Sequence, residues 1–232
     1  NSTSDGHFKI PDSLQSKQLI CRAYTSWMMN FDTSLFFSKA IKLINKNAKD
    51  ENPVKTVTLQ FFPEGGDIIE GTRNTVAFKA NYNNGFPFEI NGVIKKQETG
   101  EIVMPLKSVH DGMGRFDIEI QPGEKLYAEW LDNNGTIQQI YLPKAKPEGV
   151  SLKLVLQKDK LVYNIVNRSP GDSLYVMMHM YQKVFYRTGL AISSTLPYTG
   201  VVPVGSLPTG VMQLTVFNAS WQPLAERVAF IN

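Results

Sequence analysis

Cysteine is almost absent from this sequence of 232 residues, because Cys21 is the single one. One cysteine cannot form a disulfide within the chain, and it cannot supply the several thiolates of a structural zinc site. Its apolar neighbours Leu19, Ile20 and Ala23 favour a buried thiol in a strand over a reactive nucleophile. The sequence therefore excludes a disulfide scaffold.

Long apolar runs and local clusters of charge are also missing. No stretch approaches the roughly 18 apolar residues that span a bilayer, so we expect no transmembrane segment. Charged residues make up 19% of the chain, and the nearest approach to a basic cluster is the short segment Lys144–Lys146, so we expect no nucleic acid partner. The first residues, Asn1–Gly6, lack the layout of a signal peptide, which predicts a mature fragment or an excised piece.

Histidine is scarce, and no metal site is predicted. His7, His110 and His179 lie in distant segments, whereas a metal needs several convergent ligands. We expect His110 and the residue after it to cap a turn in which Gly112 and Gly114 supply unusual backbone angles.

One glycine-rich segment, Pro63–Asp67, follows an alternating strand. A phosphate cradle needs a helix N-terminus or a nest with a cation, and the acids Glu64, Asp67 and Glu70 would repel phosphate. A calcium site built from Glu64 and Asp67 is the better chemical alternative, but a plain turn is the simpler prediction.

Alternation of apolar and polar residues dominates the chain from Val54 onward. Val57, Leu59 and Phe61 alternate with threonine and glutamine, and similar runs recur at intervals of roughly ten residues between turn residues. The spacing predicts an all-β fold with tandem immunoglobulin-like sandwiches of about seven strands each, over residues 54–145 and 148–232. The segment Pro143–Gly149 between them is predicted to be an interdomain linker.

Residues 1–53 follow a different pattern. The sequence predicts a strand over Leu19–Met29 and a strand or a short helix over Leu35–Ile44, with a polar linker after them. Two or three strands are too few to close a sandwich. We expect this piece to be the C-terminal part of a truncated sandwich whose first strands lie upstream.

Seven short motifs in this order resemble the macroglobulin-like repeat proteins of Bacteroidota cell envelopes. They are Arg22–Met28, Phe36–Phe37, Gln60–Gly66, Val76–Ala80, Gly112–Phe116, Leu207–Gly210 and Ala225–Val228. The resemblance covers nearly the whole chain. It implies macroglobulin-like sandwiches in the periplasm or at the outer membrane, often linked to a TonB-receptor plug-like domain. The partners that it implies are other domains of the same polypeptide and an outer-membrane TonB-dependent receptor or lipoprotein.

The sequence departs from the related protease-trapping macroglobulins. Those proteins carry a thioester in a Gly-Cys-Gly-Glu-Gln type motif, whereas Cys21 lies in Ile-Cys-Arg-Ala. No nucleophile elbow and no grouping of serine, histidine and acid is recognisable either. We therefore expect no catalytic residues, no cofactor and no enzyme activity.

The strongest candidate for an interaction surface is an aromatic face in the second sandwich. Tyr175, Met177, His179 and Tyr181 are predicted to share one strand face, opposite a face that the core requires. Trp221 is predicted to lie at a hairpin turn nearby and to be exposed. The alternative is that this face contacts a neighbouring module of the same chain.

Three functional hypotheses remain open from the sequence. The first is a non-catalytic structural or binding segment that mediates protein–protein interaction or uptake-associated scaffolding. The second is a carbohydrate- or peptide-binding module of an envelope enzyme or receptor, which predicts an exposed aromatic platform near Tyr175, Tyr181 and Trp221. The third is part of a macroglobulin-like protease inhibitor.

Overall fold

A computed structural model of the chain describes residues 6–11, 14, 18–30, 36–43, 56–171, 173–192 and 196–232. The chain divides into two compact units, Asn1–Thr56 and Val57–Asn232. No helix among the described residues has the length and hydrophobicity that crossing a bilayer requires.

The described residues of the first unit contain one antiparallel pair of strands. Strands β1 (Gln18–Ala23) and β2 (Phe37–Lys42) pair with each other, and a 3₁₀ helix spans Trp27–Asn30. The strand predicted over Leu19–Met29 is therefore too long, because the Met28 amide donates to the Thr25 carbonyl and closes a turn. The second segment is a strand rather than a helix.

Cys21 differs from its predicted environment. It lies on β1 and is half-buried rather than enclosed in a core, and the adjacent Ile20 is 51% exposed. The physical reason is that a two-stranded ribbon has too few neighbours to cover both of its faces.

The second unit begins with seven strands that form two facing sheets. They are β3 (Val57–Pro63), β4 (Arg73–Tyr82), β5 (Asn91–Lys96), β6 (Ile102–Lys107), β7 (Met113–Glu119), β8 (Leu126–Leu131) and β9 (Ile137–Tyr141). The strand order is β3-β4-β7 in one sheet and β6-β5-β8-β9 in the other. Side chains from both sheets, such as Leu59, Phe78 and Trp130, meet in one core.

Seven further strands repeat this arrangement. They are β10 (Val150–Gln157), β11 (Lys160–Asn167), β12 (Ser173–Met180), β13 (Lys183–Ala191), β14 (Tyr198–Pro203), β15 (Gly210–Phe217) and β16 (Pro223–Ile231). Their order is β10-β11-β14 in one sheet and β13-β12-β15-β16 in the other. In both groups of seven, the first, second and fifth strands form the three-stranded sheet, and the fourth, third, sixth and seventh strands form the four-stranded sheet. A second core lies between these sheets. The predicted fold class, all-β with tandem immunoglobulin-like or macroglobulin-like sandwiches, is confirmed, while the predicted domain bounds stay a prediction.

The turn at His110 shows why glycine is needed there. Asp111 and Gly112 have φ of 47° and 72°, and the flanking residues His110 and Met113 pair as a tight hairpin. Gly114 has a different role from the predicted one, because a Cβ there would lie 2.5 Å from the Phe78 ring. Close packing, not an unusual φ, is therefore what requires glycine at this position.

Candidate functional site

The predicted aromatic face lies on the outer side of the four-stranded sheet β13-β12-β15-β16. Along β12, Leu174, Val176, Met178 and Met180 are buried, while Tyr175, Met177 and His179 are half-buried on the other side. Alternation of side chains along the strand produces this division. The structure thus places three of the predicted residues on one surface.

Tyr181 is not on that surface, contrary to the prediction. Strand β12 ends at Met180, and Tyr181 and Gln182 form the turn into β13 with φ of 51° and 61°. The Tyr181 hydroxyl donates to the Thr209 carbonyl at 2.8 Å. Tyr181 lies six positions beyond Tyr175, which corresponds to roughly 20 Å at 3.4 Å per residue of extended chain. The two tyrosines therefore cannot share one small binding site.

Trp221 and Tyr175 do come together. Their rings are stacked, with centroids 4.5 Å apart and an interplanar angle of 10°. Trp221 remains 45% exposed, as predicted for a turn residue. Of the predicted interaction surface, only Tyr175 and Trp221 form a compact pair, and Met177 and His179 lie farther along β12.

Two residues that sequence reasoning missed complete this cluster. Phe217 lies opposite Tyr175 on β15, and its ring centroid is 5.6 Å from that of Trp221. The Arg187 guanidinium, from β13, lies 5.7 Å from the Trp221 ring centroid. The alternation of side chains along β15 could have placed Phe217 on the outer face of the sheet. The position of Arg187 near Trp221 could not be predicted, because it depends on the register of β12 with β13.

The hairpin turn that carries Trp221 is held by Asn218. The Asn218 Oδ1 accepts from the amides of Ser220 and Gln222 at 3.0 and 2.9 Å, and the Trp221 amide donates to the Asn218 carbonyl at 3.0 Å. This network places Trp221 in the left-handed region, at φ of 59°. The indole is consequently folded back over the sheet.

A second notable region is the joint between the two sandwiches, formed by the loop between β3 and β4. Gly65 pairs with Glu226 of β16 as an antiparallel bridge, and the Glu226 amide donates to the Gly65 carbonyl at 3.2 Å. Arg227 Nη2 lies 2.6 Å from Glu64 Oε1, and their side chains are 30% and 15% exposed. Backbone and charge together therefore link the two sandwiches.

Ile69 is buried beside the segment that connects the two sandwiches. It is 1% exposed but belongs to neither core, and a Cβ at Gly149 would lie 2.6 Å from its Cδ1. The Glu70 amide donates to the Lys146 carbonyl at 2.9 Å, and the Lys146 amide donates to the Ile68 carbonyl at 2.8 Å. The segment predicted as a linker is thus hydrogen-bonded to the first sandwich rather than free.

Two of the acidic residues of this loop, Glu64 and Asp67, form ion pairs. Glu64 binds Arg227, and Asp67 lies 2.7 Å from the Lys146 ammonium. Both carboxylates of the alternative calcium site, Glu64 and Asp67, therefore already have a cationic partner. Among the described ranges, no group of three or more His, Cys, Asp or Glu side chains could hold a metal ion.

A polar cleft of about 440 Å³ runs beside the joint, lined by strands β7 and β10. Within it, hydrogen bonds from Thr75 and Arg73 lower the pKa of the Asp117 carboxyl, and Lys153 lies 3.9 Å away. A carboxylate with a lowered pKa and several donors is a poor general base near neutral pH. The cleft is therefore lined by charged side chains, and Asp117 is held in its ionised form near neutral pH.

Comparisons with known proteins give likeness of fold only. No protein-family model matches the sequence, and no curated protein does. Among solved structures, the chain is similar to the BSP domain of a biofilm-associated protein, with 14% identity, a TM-score of 0.33, and coverage of 75% of this chain and 29% of that chain.

Two structures of the alpha-2-macroglobulin of E. coli are also similar. The native conformation has 10% identity and a TM-score of 0.29, covering 91% of this chain and 17% of that one. The elastase-activated form has 13% identity and a TM-score of 0.30, covering 84% and 23%. The chain thus spans less than a third of each of these proteins, and scores this low support no inference about activity or partners.

Proposed function

We propose that the chain is a non-catalytic, rigid spacer and binding segment of a larger cell-envelope protein. The observation that carries this proposal is the joint, where a backbone bridge, an ion pair and a buried isoleucine lock one sandwich to the next. A spacer with a fixed joint holds its two ends at a constant distance and orientation, which suits presentation of a binding surface.

The proposed organisation has two complete sandwiches and part of a third. The complete ones are residues 54–145 and 148–232, supported by the repeated strand order and the two separate cores. Residues 1–53 would be the C-terminal part of a truncated sandwich. Support comes from the hairpin β1–β2, on which Ile20 and Phe37 are 51% and 60% exposed, as expected of strands that lack their facing sheet.

The location that we propose is the periplasm or the outer-membrane surface. The proposed partners are other domains of the same polypeptide and an outer-membrane TonB-dependent receptor or lipoprotein. Both rest on the motif resemblance to macroglobulin-like envelope proteins and are open to direct test.

The two other hypotheses differ in support. A carbohydrate-binding module is favoured by one observation, the exposed Trp221 indole stacked on Tyr175. A peptide-binding module and a protease inhibitor have no comparable feature in the described residues.

The test is affinity capture from outer-membrane extract, with the chain as bait and mass spectrometry as the readout. We expect enrichment of a TonB-dependent receptor or a lipoprotein, and weaker enrichment with an Ile69→Ala bait whose joint is loosened. Equal capture by both baits would contradict the role of the rigid joint. Capture of neither class of protein would contradict the proposed partners.

A further inference from the structure

The turn at Trp221 has an unusual residue in a conformation that favours glycine. Hairpins that end in a left-handed position usually place glycine there, because a side chain costs about 1–2 kcal/mol in this conformation. Trp221 has φ of 59°, and hydrogen bonds to Asn218, not the indole, set the turn. Packing of the indole on Tyr175 and Phe217 offsets the cost of this backbone conformation. The strained conformation is therefore explained by packing and is not in itself evidence for a ligand.

The exposed part of the indole is what indicates a binding site. The aromatic and cation–π partners of Trp221 come from strands of the sheet, namely Tyr175 from β12, Arg187 from β13 and Phe217 from β15. Tyr175 stacks on one face of the indole, and 45% of the Trp221 residue remains exposed to solvent. A flat aromatic surface is thus held in a fixed orientation on a rigid sheet.

Arg187 places a positive charge over the indole ring, 5.7 Å from its centroid. It is exposed, and no carboxylate among the described residues lies within ion-pair distance of it. Across the sheet, Arg187 pairs with Met177, Met177 pairs with Thr215, and Thr215 pairs with Glu226. Glu226 is therefore three strands away from Arg187, roughly 14 Å at about 4.8 Å per strand. Glu226 accepts from the Thr215 hydroxyl at 3.1 Å, so it does not neutralise Arg187.

We propose that Trp221 and Arg187 form a binding site for an acidic saccharide of the hexuronate type. The C–H face of a pyranose ring is apolar and flat enough to stack on an indole, and the planar guanidinium binds a carboxylate in bidentate fashion. A phosphate ion has the charge but no apolar face, and a neutral sugar has the face but no charge. The hexuronate combines both, which matches the two groups present.

The neighbouring strand β13 presents glycine opposite Tyr175. Gly189, which pairs with Tyr175, has no side chain beside the stack, and a Cβ there would lie 3.4 Å from the Tyr175 ring. The site extends the carbohydrate-binding hypothesis and uses none of the joint residues. Its failure would therefore leave the spacer function untouched.

Titration of the full chain with a hexuronate oligosaccharide tests the proposal, with calorimetry for affinity and NMR for the indole resonances. Wild-type protein should bind saturably and shift the Trp221 indole signal, which is assigned by its absence in Trp221→Gly. That variant relieves the left-handed strain and keeps the fold, and it should bind at least roughly tenfold more weakly. Arg187→Gln should lose a similar factor, and should lose the salt dependence of binding as well.

Matched controls separate the site from the general surface. Tyr141→Ala removes a tyrosine that is 62% exposed on the first sandwich, and Arg115→Gln removes an exposed arginine there. Both should bind like the wild type. The proposal is overturned by absence of saturable binding at low-millimolar ligand, by equal affinity for a neutral oligosaccharide, by equal affinity for an acidic peptide, or by equal losses in the controls.

Discussion

Replacing Ile69 by alanine should loosen the joint between the two sandwiches without unfolding either of them. Ile69 is 1% exposed, as is its neighbour Ile68, yet only Ile68 belongs to the core of the first sandwich. The Ile69 side chain instead reaches toward Gly149 at the start of the second sandwich. The substitution therefore removes contacts that connect the sandwiches.

The size of the effect follows from the atoms removed. Isoleucine loses three carbon atoms on conversion to alanine, which at about 0.8 kcal/mol for each buried methylene is roughly 2.4 kcal/mol. A cavity would add to this cost, whereas partial closure of the loop would reduce it. We expect about 2–3 kcal/mol to be lost from the free energy that couples the unfolding of the two sandwiches.

The assay is urea denaturation followed by hydrogen-exchange mass spectrometry, which reports on peptides of each sandwich separately. Wild-type peptides of both sandwiches should lose protection at one urea concentration. In Ile69→Ala the two midpoints should separate. The matched control Ile68→Ala should instead lower the midpoint of the first sandwich most strongly, because its cavity lies in that core.

The reasoning would be refuted if Ile69→Ala left a single transition at the wild-type midpoint. It would also be refuted if Ile69→Ala and Ile68→Ala gave the same pattern of protection, because Ile69 would then act as an ordinary core residue.

Three further predictions concern single contacts. Arg227→Met removes the ion pair across the joint and should cost about 2 kcal/mol of unfolding free energy, measured by urea denaturation, with the loss reduced in high salt. The pKa of Asp117 is lowered chiefly by the hydrogen bond from Thr75. The ionised Asp117 carboxylate therefore stabilises the fold fully above about pH 4, the pKa of an unfolded aspartate, and this stabilisation is lost as the pH falls through the lowered pKa of the folded state. Urea midpoints across that acid range should therefore fall less steeply in Asp117→Asn than in the wild type, and parallel slopes would contradict the assignment. Gly200→Ala would place a Cβ 2.0 Å from the buried ring of Tyr163, so the melting temperature should fall by an amount that corresponds to about 3 kcal/mol, and an unchanged value would show that the ring can move aside.

Strand positions were predictable because each strand has one face in a core. Alternation such as Leu174, Val176 and Met178 against Tyr175 and Met177 is a local property that the sequence displays directly. The same alternation could not locate the end of β12, since Tyr181 and Gln182 form a tight turn without the usual asparagine or glycine. The predicted face therefore included one residue too many.

The joint could not be predicted because its contacts join residues far apart in sequence. Glu64 and Arg227 are separated by 163 positions, and nothing in either local pattern indicates the other. The segment Pro143–Gly149 has the composition of a free linker, but its backbone groups complete hydrogen bonds with the first sandwich. Composition describes what a segment can do in isolation, whereas the partner strand or loop decides what it does in the fold.

The central claim is that the two sandwiches form one rigid body, and a distance distribution tests it most directly. Spin labels at Val103→Cys and Val211→Cys, in a Cys21→Ser background, would occupy exposed strand positions on the first and second sandwich, and pulsed electron paramagnetic resonance would measure their separation. The account predicts a single narrow distance that broadens when Ile69→Ala is added. A broad or multiple distribution in the otherwise unaltered chain would contradict the rigid joint.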